Sequence, residues 1–135
     1  MLDDKIPEFE QLRVLLVEDN LFAQRLATSV LRQLGVNQLT VVTDGQAAID
    51  LLKTTQLAFD LIISDWNMPK VTGLQLLQHV RKTWENMPFL MLTGNANEEF
   101  VIAARENKVD AYVIKPFSAS QLRQKLTVMF NIKQS

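Results

Sequence analysis

Cysteine is absent from this sequence, so neither a disulfide framework nor a thiolate metal site is available to it. No apolar stretch approaches the roughly 20 residues that a membrane span requires. The start, Met-Leu-Asp-Asp-Lys, lacks the basic and apolar segments of a secretory signal. An excess of charge is also missing: 14 basic and 15 acidic residues leave a net charge of −1, scattered along the chain. The electrostatic footprint of a nucleic-acid binder is therefore not present. Histidine occurs once, at His79, away from every expected strand end, where an exposed or half-packed helical position is a better expectation than a phosphohistidine. These absences leave a soluble, cytoplasmic protein with no membrane or nucleic-acid partner as the expectation.

What is present suits one domain. A chain of 135 residues with 47% hydrophobic residues can remove roughly 68% of its unfolded surface from water, enough for an ordinary core. Apolar runs at 13–18 (RVLLVE), 38–43 (QLTVVT), 60–64 (DLIIS), 88–92 (PFLML) and 110–114 (DAYVI) have the length of strands buried on both faces. Helices are expected between and after them, at about 21–34, 46–56, 73–84, 96–107 and 118–130. In the last, Leu122, Leu126, Met129 and Phe130 form one apolar stripe. Thr72 with Gln75, and Ser118 with Gln121, have capping-box spacing, and Asp44 and Asn95 are candidate N-caps. Gly35 stands where a left-handed residue would close the first helix. Successive βα units with right-handed crossovers imply a doubly wound α/β fold.

In such sheets ligands bind beyond the carboxyl ends of the strands, where strand order reverses. The residues that follow the runs are Glu18, Asp19 and Asn20; Asp65; Thr93 and Gly94; Lys115 and Pro116. If the first and third strands are neighbours, three carboxylates converge, and each like-charge pair ~4 Å apart costs about 4 kcal/mol at an effective dielectric near 20. Such a cluster needs a cation, and hard oxygen ligands without His or Cys favour magnesium over zinc or copper. A carboxylate can serve as nucleophile toward a phosphoryl group. A lysine would neutralise the developing charge, and the Thr93 hydroxyl could donate to a phosphoryl oxygen. Taken singly, Asp19 or Asn20 could instead cap the first helix, and Asp65 could be a turn residue ahead of Pro69.

The series Glu18-Asp19-Asn20, Asp65-Trp66-Asn67-Met68-Pro69 with Gly73, Thr93-Gly94, and Tyr112 with Lys115-Pro116-Phe117 resembles the response-regulator receiver family. Within it, Ser64–Pro69 and Lys115-Pro116-Phe117 are most similar to the chemotaxis regulators. The resemblance covers about residues 12–130. It implies a flavodoxin-like (βα)5 fold with strand order 2-1-3-4-5, and a receiver domain at 12–131 flanked by an arm at 1–11 and a tail at 132–135. Only about five residues follow the last expected helix, so no attached output domain is expected.

By the same resemblance Asp65 is the phosphoacceptor. Asp19, Asp65 and the Asn67 carbonyl hold magnesium directly, and Glu18 acts largely through water. Thr93 and Lys115 hold the phosphoryl group, Thr93 and Tyr112 form the switch, and Asn67 and Asn95 tune dephosphorylation. The Lys115-Pro116 bond is expected to be cis. The implied donor is a sensor histidine kinase or phosphotransfer protein. The implied output partner, of unknown identity, binds the surface of the fourth helix, fifth strand and fifth helix. No enzyme activity is expected beyond the chain's own phosphoryl transfer and dephosphorylation. Asn97-Glu98 stands where chemotaxis relatives often carry lysines, so a flagellar-motor partner is not implied.

Other functions fit less well. A flavin carrier would need a hydroxyl- and amide-rich loop where Glu18 and Asp19 stand. A haloacid dehalogenase-type phosphatase would need an acid where Asn67 stands. A receiver acting as a phosphorylation-independent protein-binding module should have lost Asp65, Lys115 or the acidic pair. Trp84 is expected in the core, Trp66 beside the site as a reporter of metal binding, and Glu98, Glu99, Arg105 and Glu106 on a solvated face.

Overall fold

The computed structural model describes residues 9–55 and 58–130. Its elements run β1 (Arg13–Val17), α1 (Leu21–Leu34), β2 (Gln38–Val42), α2 (Gly45–Thr55), β3 (Leu61–Asp65), α3 (Gly73–Thr83), β4 (Phe89–Thr93), α4 (Glu98–Glu106), β5 (Ala111–Ile114) and α5 (Ala119–Met129). All strand pairs are parallel, in the order β2-β1-β3-β4-β5. This is the flavodoxin-like doubly wound arrangement, and β1 and β3 meet where the winding reverses.

Alternation along the strands builds two apolar layers. Val14 and Leu16 of β1 join Ile63 and Leu92 against α1 and α5. Leu15 and Val17 join Ile62, Phe89 and Met91 against α2, α3 and α4. Both faces of β1, β3 and β4 are covered, so these strands are apolar almost throughout. The expectation of burial on both faces fails for β2 and β5, which form the sheet edges and are half exposed. A strand with a neighbour on one side only leaves part of its surface to solvent.

The capping boxes form at Thr72 and Ser118, and Asp44 accepts the Ala47 N–H at 2.7 Å. Gly35, at φ 107°, closes α1, with its own N–H on the Arg32 carbonyl and that of Val36 on the Leu31 carbonyl. The same pair of bonds closes α4, but there the left-handed residue is Lys108, at φ 62°. Asn95 is not an N-cap: α4 starts at Glu98 rather than 96, and Asn97 accepts the Phe100 N–H at 2.8 Å. The backbone of Asn95 is already engaged by the Thr93 side chain. Helix α3 ends at Thr83, so Trp84 lies just beyond it, half-buried against the second layer. Expected residue Gln56 lies outside the described residues.

Beneath the sheet, at the starts of β4 and β5, Arg81 binds three neighbours at once. Its guanidinium donates to the Met87 carbonyl at 2.7 Å, to the Lys108 carbonyl at 2.8 and 3.0 Å, and to Asp110 at 2.8 Å. Asp110 in turn accepts the Phe89 N–H at 2.8 Å. Of the N-terminal arm, Phe9–Gln11 form a short 3-10 turn, and Phe9 packs on the first layer; residues 1–8 lie outside the described residues. Among the described residues no helix is long and apolar enough to cross a membrane.

Candidate functional site

The upper ends of β1, β3, β4 and β5 surround one crevice. Glu18 follows β1, whereas Asp65 and Thr93 are the last residues of β3 and β4, one position earlier than a loop placement would put them. Asn20 caps α1 by accepting the Ala23 N–H at 2.9 Å, which turns the chain sharply and leaves Asp19 exposed at the rim. The short link from β3 to α3 depends on Gly73, whose N–H donates to the Trp66 carbonyl at 2.9 Å. A Cβ on Gly73 would sit 2.3 Å from the Asp65 carbonyl oxygen and 2.9 Å from the Trp66 Cα, so only glycine lets α3 approach this closely.

Lys115 lies at the centre of the site. Its Nζ is 2.9 Å from Asp65 Oδ1 and 3.1 Å from Glu18 Oε1. Its backbone N–H donates to the Thr93 carbonyl at 2.7 Å, and its bond to Pro116 is cis. Glu18 is 1% exposed and Asp65 6%. Burial raises the pKa of Asp65, and the nearby Asp19 charge adds to this, while Lys115 works against it. Burial and the Asp65 charge likewise raise Glu18. For Lys115 burial opposes the charge, but the hydrogen bonds to Asp65 and Glu18 outweigh it and hold the ammonium above its usual range.

Glu18, Asp19 and Asp65 each offer an oxygen, and these atoms lie within 4.8 Å of one another. Against one ammonium, three ionised carboxylates leave two uncompensated negative charges, which a divalent cation would balance. The donors are hard oxygens, two of them on buried side chains, and the described cluster contains no His or Cys. This donor set fits magnesium.

The remaining predicted residues are placed at different distances from this centre. Thr93 is 1% exposed, and its hydroxyl accepts the Asn95 N–H and donates to the Asn95 carbonyl, both at 3.1 Å. Asn67 and Asn95 are exposed on the loops beside Asp65 and Thr93. Tyr112 is half-buried on β5, edge-on to Phe100 of α4 at 5.1 Å between ring centres. Phe100 also meets the Trp66 ring, at 4.6 Å and 79°. Sequence reasoning did not single out Phe100. Its spacing with Ala104 marks an inward face of α4, but nothing local names the rings it meets. His79 is half-buried on α3, outside the site, and Glu98, Glu99, Arg105 and Glu106 are exposed.

An acidic crevice with a central lysine, at the switch point of a 2-1-3-4-5 sheet, is the arrangement of a receiver domain. The chain belongs to the response-regulator receiver family, and the family model, described as the response regulator receiver domain, matches residues 14–127. Chemotaxis protein CheY-3 of Vibrio cholerae is 36% identical over 123 residues, covering 90% of this chain and 93% of its own. Chemotaxis protein CheY of Pseudomonas aeruginosa is 35% identical over 121 residues, covering 88% and 96%. Among solved structures, the chemotaxis protein CheY4 of Vibrio cholerae superposes with a TM-score of 0.77 at 29% identity, covering 87% of this chain and 98% of that one. A receiver domain protein from Clostridium thermocellum, at 22% identity, shares the fold with a TM-score of 0.80, covering 89% and 94%.

Proposed function

We propose that this receiver is a phosphorylation-dependent switch of the cytoplasm. A sensor histidine kinase or phosphotransfer protein donates a phosphoryl group to Asp65. The change in the α4–β5–α5 face then controls binding of an output protein. The observation that carries this reading is the Asp65 carboxylate, buried at the switch point, paired with Lys115 and flanked by the oxygens of Glu18 and Asp19.

In the transfer, an Asp65 oxygen forms a bond to phosphorus as the bond from phosphorus to the donor nitrogen breaks. Bound by Asp19, Asp65 and the Asn67 carbonyl, with Glu18 acting through water, magnesium would neutralise charge on the transferring group. The Lys115 ammonium, now shared between Asp65 and Glu18, is within reach of an added phosphoryl oxygen. Thr93 can donate to that group once its hydroxyl leaves the Asn95 backbone. Drawing Thr93 inward opens room for Tyr112, so new contacts to the phosphoryl group bias one of two packings. Asn67 and Asn95 flank the path of a hydrolytic water and set the lifetime of the adduct. The chain turns over no other substrate.

The face that would change carries a cavity of about 470 Å³ lined by Val101, Arg105, Tyr112, Lys125 and Val128 among others. Val128 is 73% exposed there, an apolar contact available to a partner. The deciding experiment is intact mass after incubation with acetyl phosphate, with and without magnesium, on wild type and Asp65→Asn. One phosphoryl adduct that needs magnesium and disappears in the variant is the expected result. No adduct in the wild type, under conditions that trap slow hydrolysis, overturns the reading.

A further inference from the structure

We infer that Phe100 is the positioning residue that couples the acceptor loop to Tyr112, its ring wedged between the rings of Trp66 and Tyr112. As a switch element this rests on the proposed phosphorylation of Asp65; as a packing connection it stands on geometry alone. Trp66 is the residue after Asp65, and Tyr112 is on the strand that leads to Lys115. Among the described residues no ring contact joins Trp66 and Tyr112 directly; each instead meets Phe100 edge-on, at 79° and 85°. Beyond Tyr112, the Lys125 ammonium of α5 lies 5.5 Å from the tyrosine ring centre. The series of side chains thus runs from the acceptor to the outer face of α4–β5–α5.

Two mechanical inputs converge on the same ring. One comes from β3 through the Trp66 side chain. The other comes from β4: Thr93 holds Asn95, and Asn97 holds the Phe100 N–H at 2.8 Å, so a shift of residues 94–97 moves the backbone of Phe100 itself. Phe100 is 3% exposed in an apolar layer that also contains Ala104 and Met91. Close-packed interiors do not deform continuously. Tyr112 can therefore exchange its half-buried position for an inward one only if the Phe100 ring yields, which makes Phe100 the gate on the tyrosine.

The chain has a single tyrosine, so full-length protein labelled with 3-fluorotyrosine gives one fluorine NMR signal, from Tyr112. The signal is measured in wild type, Trp66→Leu, Phe100→Leu and the double variant. Coupling through Phe100 predicts that Trp66→Leu displaces the signal when Phe100 is present, and displaces it by less than half as much in the Phe100→Leu background. Equal displacement in both backgrounds overturns the inference. Phe100→Met, whose flexible unbranched side chain can fill the irregular gap left by the ring, repeats the cycle if the leucine variant folds poorly. This cycle needs no phosphorylation, so its outcome is separate from that of the acetyl phosphate experiment. Where the adduct forms, its displacement of the Tyr112 signal should also fall by more than half in Phe100→Leu while the mass adduct persists. A full displacement in that variant counts equally against the inference.

Discussion

Gly73→Ala sets two effects of opposite sign against each other at the base of the loop that follows Asp65. Alanine is the better helix former, and replacing glycine where the backbone permits gains about 0.4–1 kcal/mol. Here the new methyl would lie 2.3 Å from the Asp65 carbonyl oxygen, 2.9 Å from the Trp66 Cα and 2.9 Å from the Met91 sulfur. Two of those atoms are backbone, and the Gly73 N–H is bonded to the Trp66 carbonyl, so the contact can be relieved only by separating α3 from β3. Overpacking of this kind costs roughly 1–3 kcal/mol. Packing should win, leaving a net loss of about 1–2 kcal/mol. With a urea slope of roughly 1–2 kcal/mol per molar, the unfolding midpoint should fall by about 1 M. Because the displaced atoms belong to Asp65 and Trp66, the rate of acetyl phosphate labelling should drop as well. Gly94→Ala is the control: a Cβ there meets nothing within 4 Å and no left-handed φ is required. Its midpoint should stay level or rise. An unchanged or higher midpoint for Gly73→Ala would refute the claim that this glycine sets the approach of α3 to Asp65.

Other changes test separate parts of the structure. Lys108→Gly should stabilise the protein by about 0.5–1 kcal/mol in urea unfolding, since a left-handed residue with a Cβ is strained by more than glycine loses in entropy; a lower midpoint would contradict the strained cap. The Arg13 hydrogen bond and charge hold Asp60 below its ordinary carboxylate pKa of 3.8. A depressed pKa contributes stability above the unfolded-state value and loses it as pH falls through the folded one. The difference in melting temperature between wild type and Asp60→Asn should therefore shrink below pH 3.8, and a difference that stays constant into that range would argue against the pair. Lys115→Met removes the cation that now occupies the acidic crevice. Magnesium, titrated against Trp66 fluorescence, should bind several-fold more tightly to that variant because the competing charge is gone; weaker binding would mean that Lys115 does not compete for these carboxylates.

The strand ends were legible because βα sequences repeat one grammar, an apolar run followed by a polar residue. That is why Glu18, Asp65, Thr93 and Lys115 could be located before any contact between them was known. The start of α4 was not legible in the same way. Asn95 and Asn97 have equal capping propensity, and the choice falls on Asn97 because the Thr93 hydroxyl engages the backbone of Asn95. The half-exposed character of β2 and β5 depends on position in the sheet, which no single run reveals. The bond between Lys115 and Glu18 joins residues 97 apart, and the ring contacts of Phe100 join α4 to β5 and to the loop after β3. Such pairings are products of the winding, and local patterns do not contain them.

The Arg81 guanidinium gives the sheet unequal ends. It fastens α3 to the starts of β4 and β5, through two carbonyls and Asp110, on the side away from the acidic crevice. Strands pinned at their origin cannot slide to absorb a pull exerted at their tips. Under the proposed switch, strain introduced at Thr93 or Lys115 would be denied an exit through the floor of the molecule and directed sideways into α4 and its leading loop. A receiver held this way would act as a cantilever, and Arg81, which is no part of the acidic crevice and meets the cavity lined by Tyr112 and Val128 only through Asp110, would supply its fixed support.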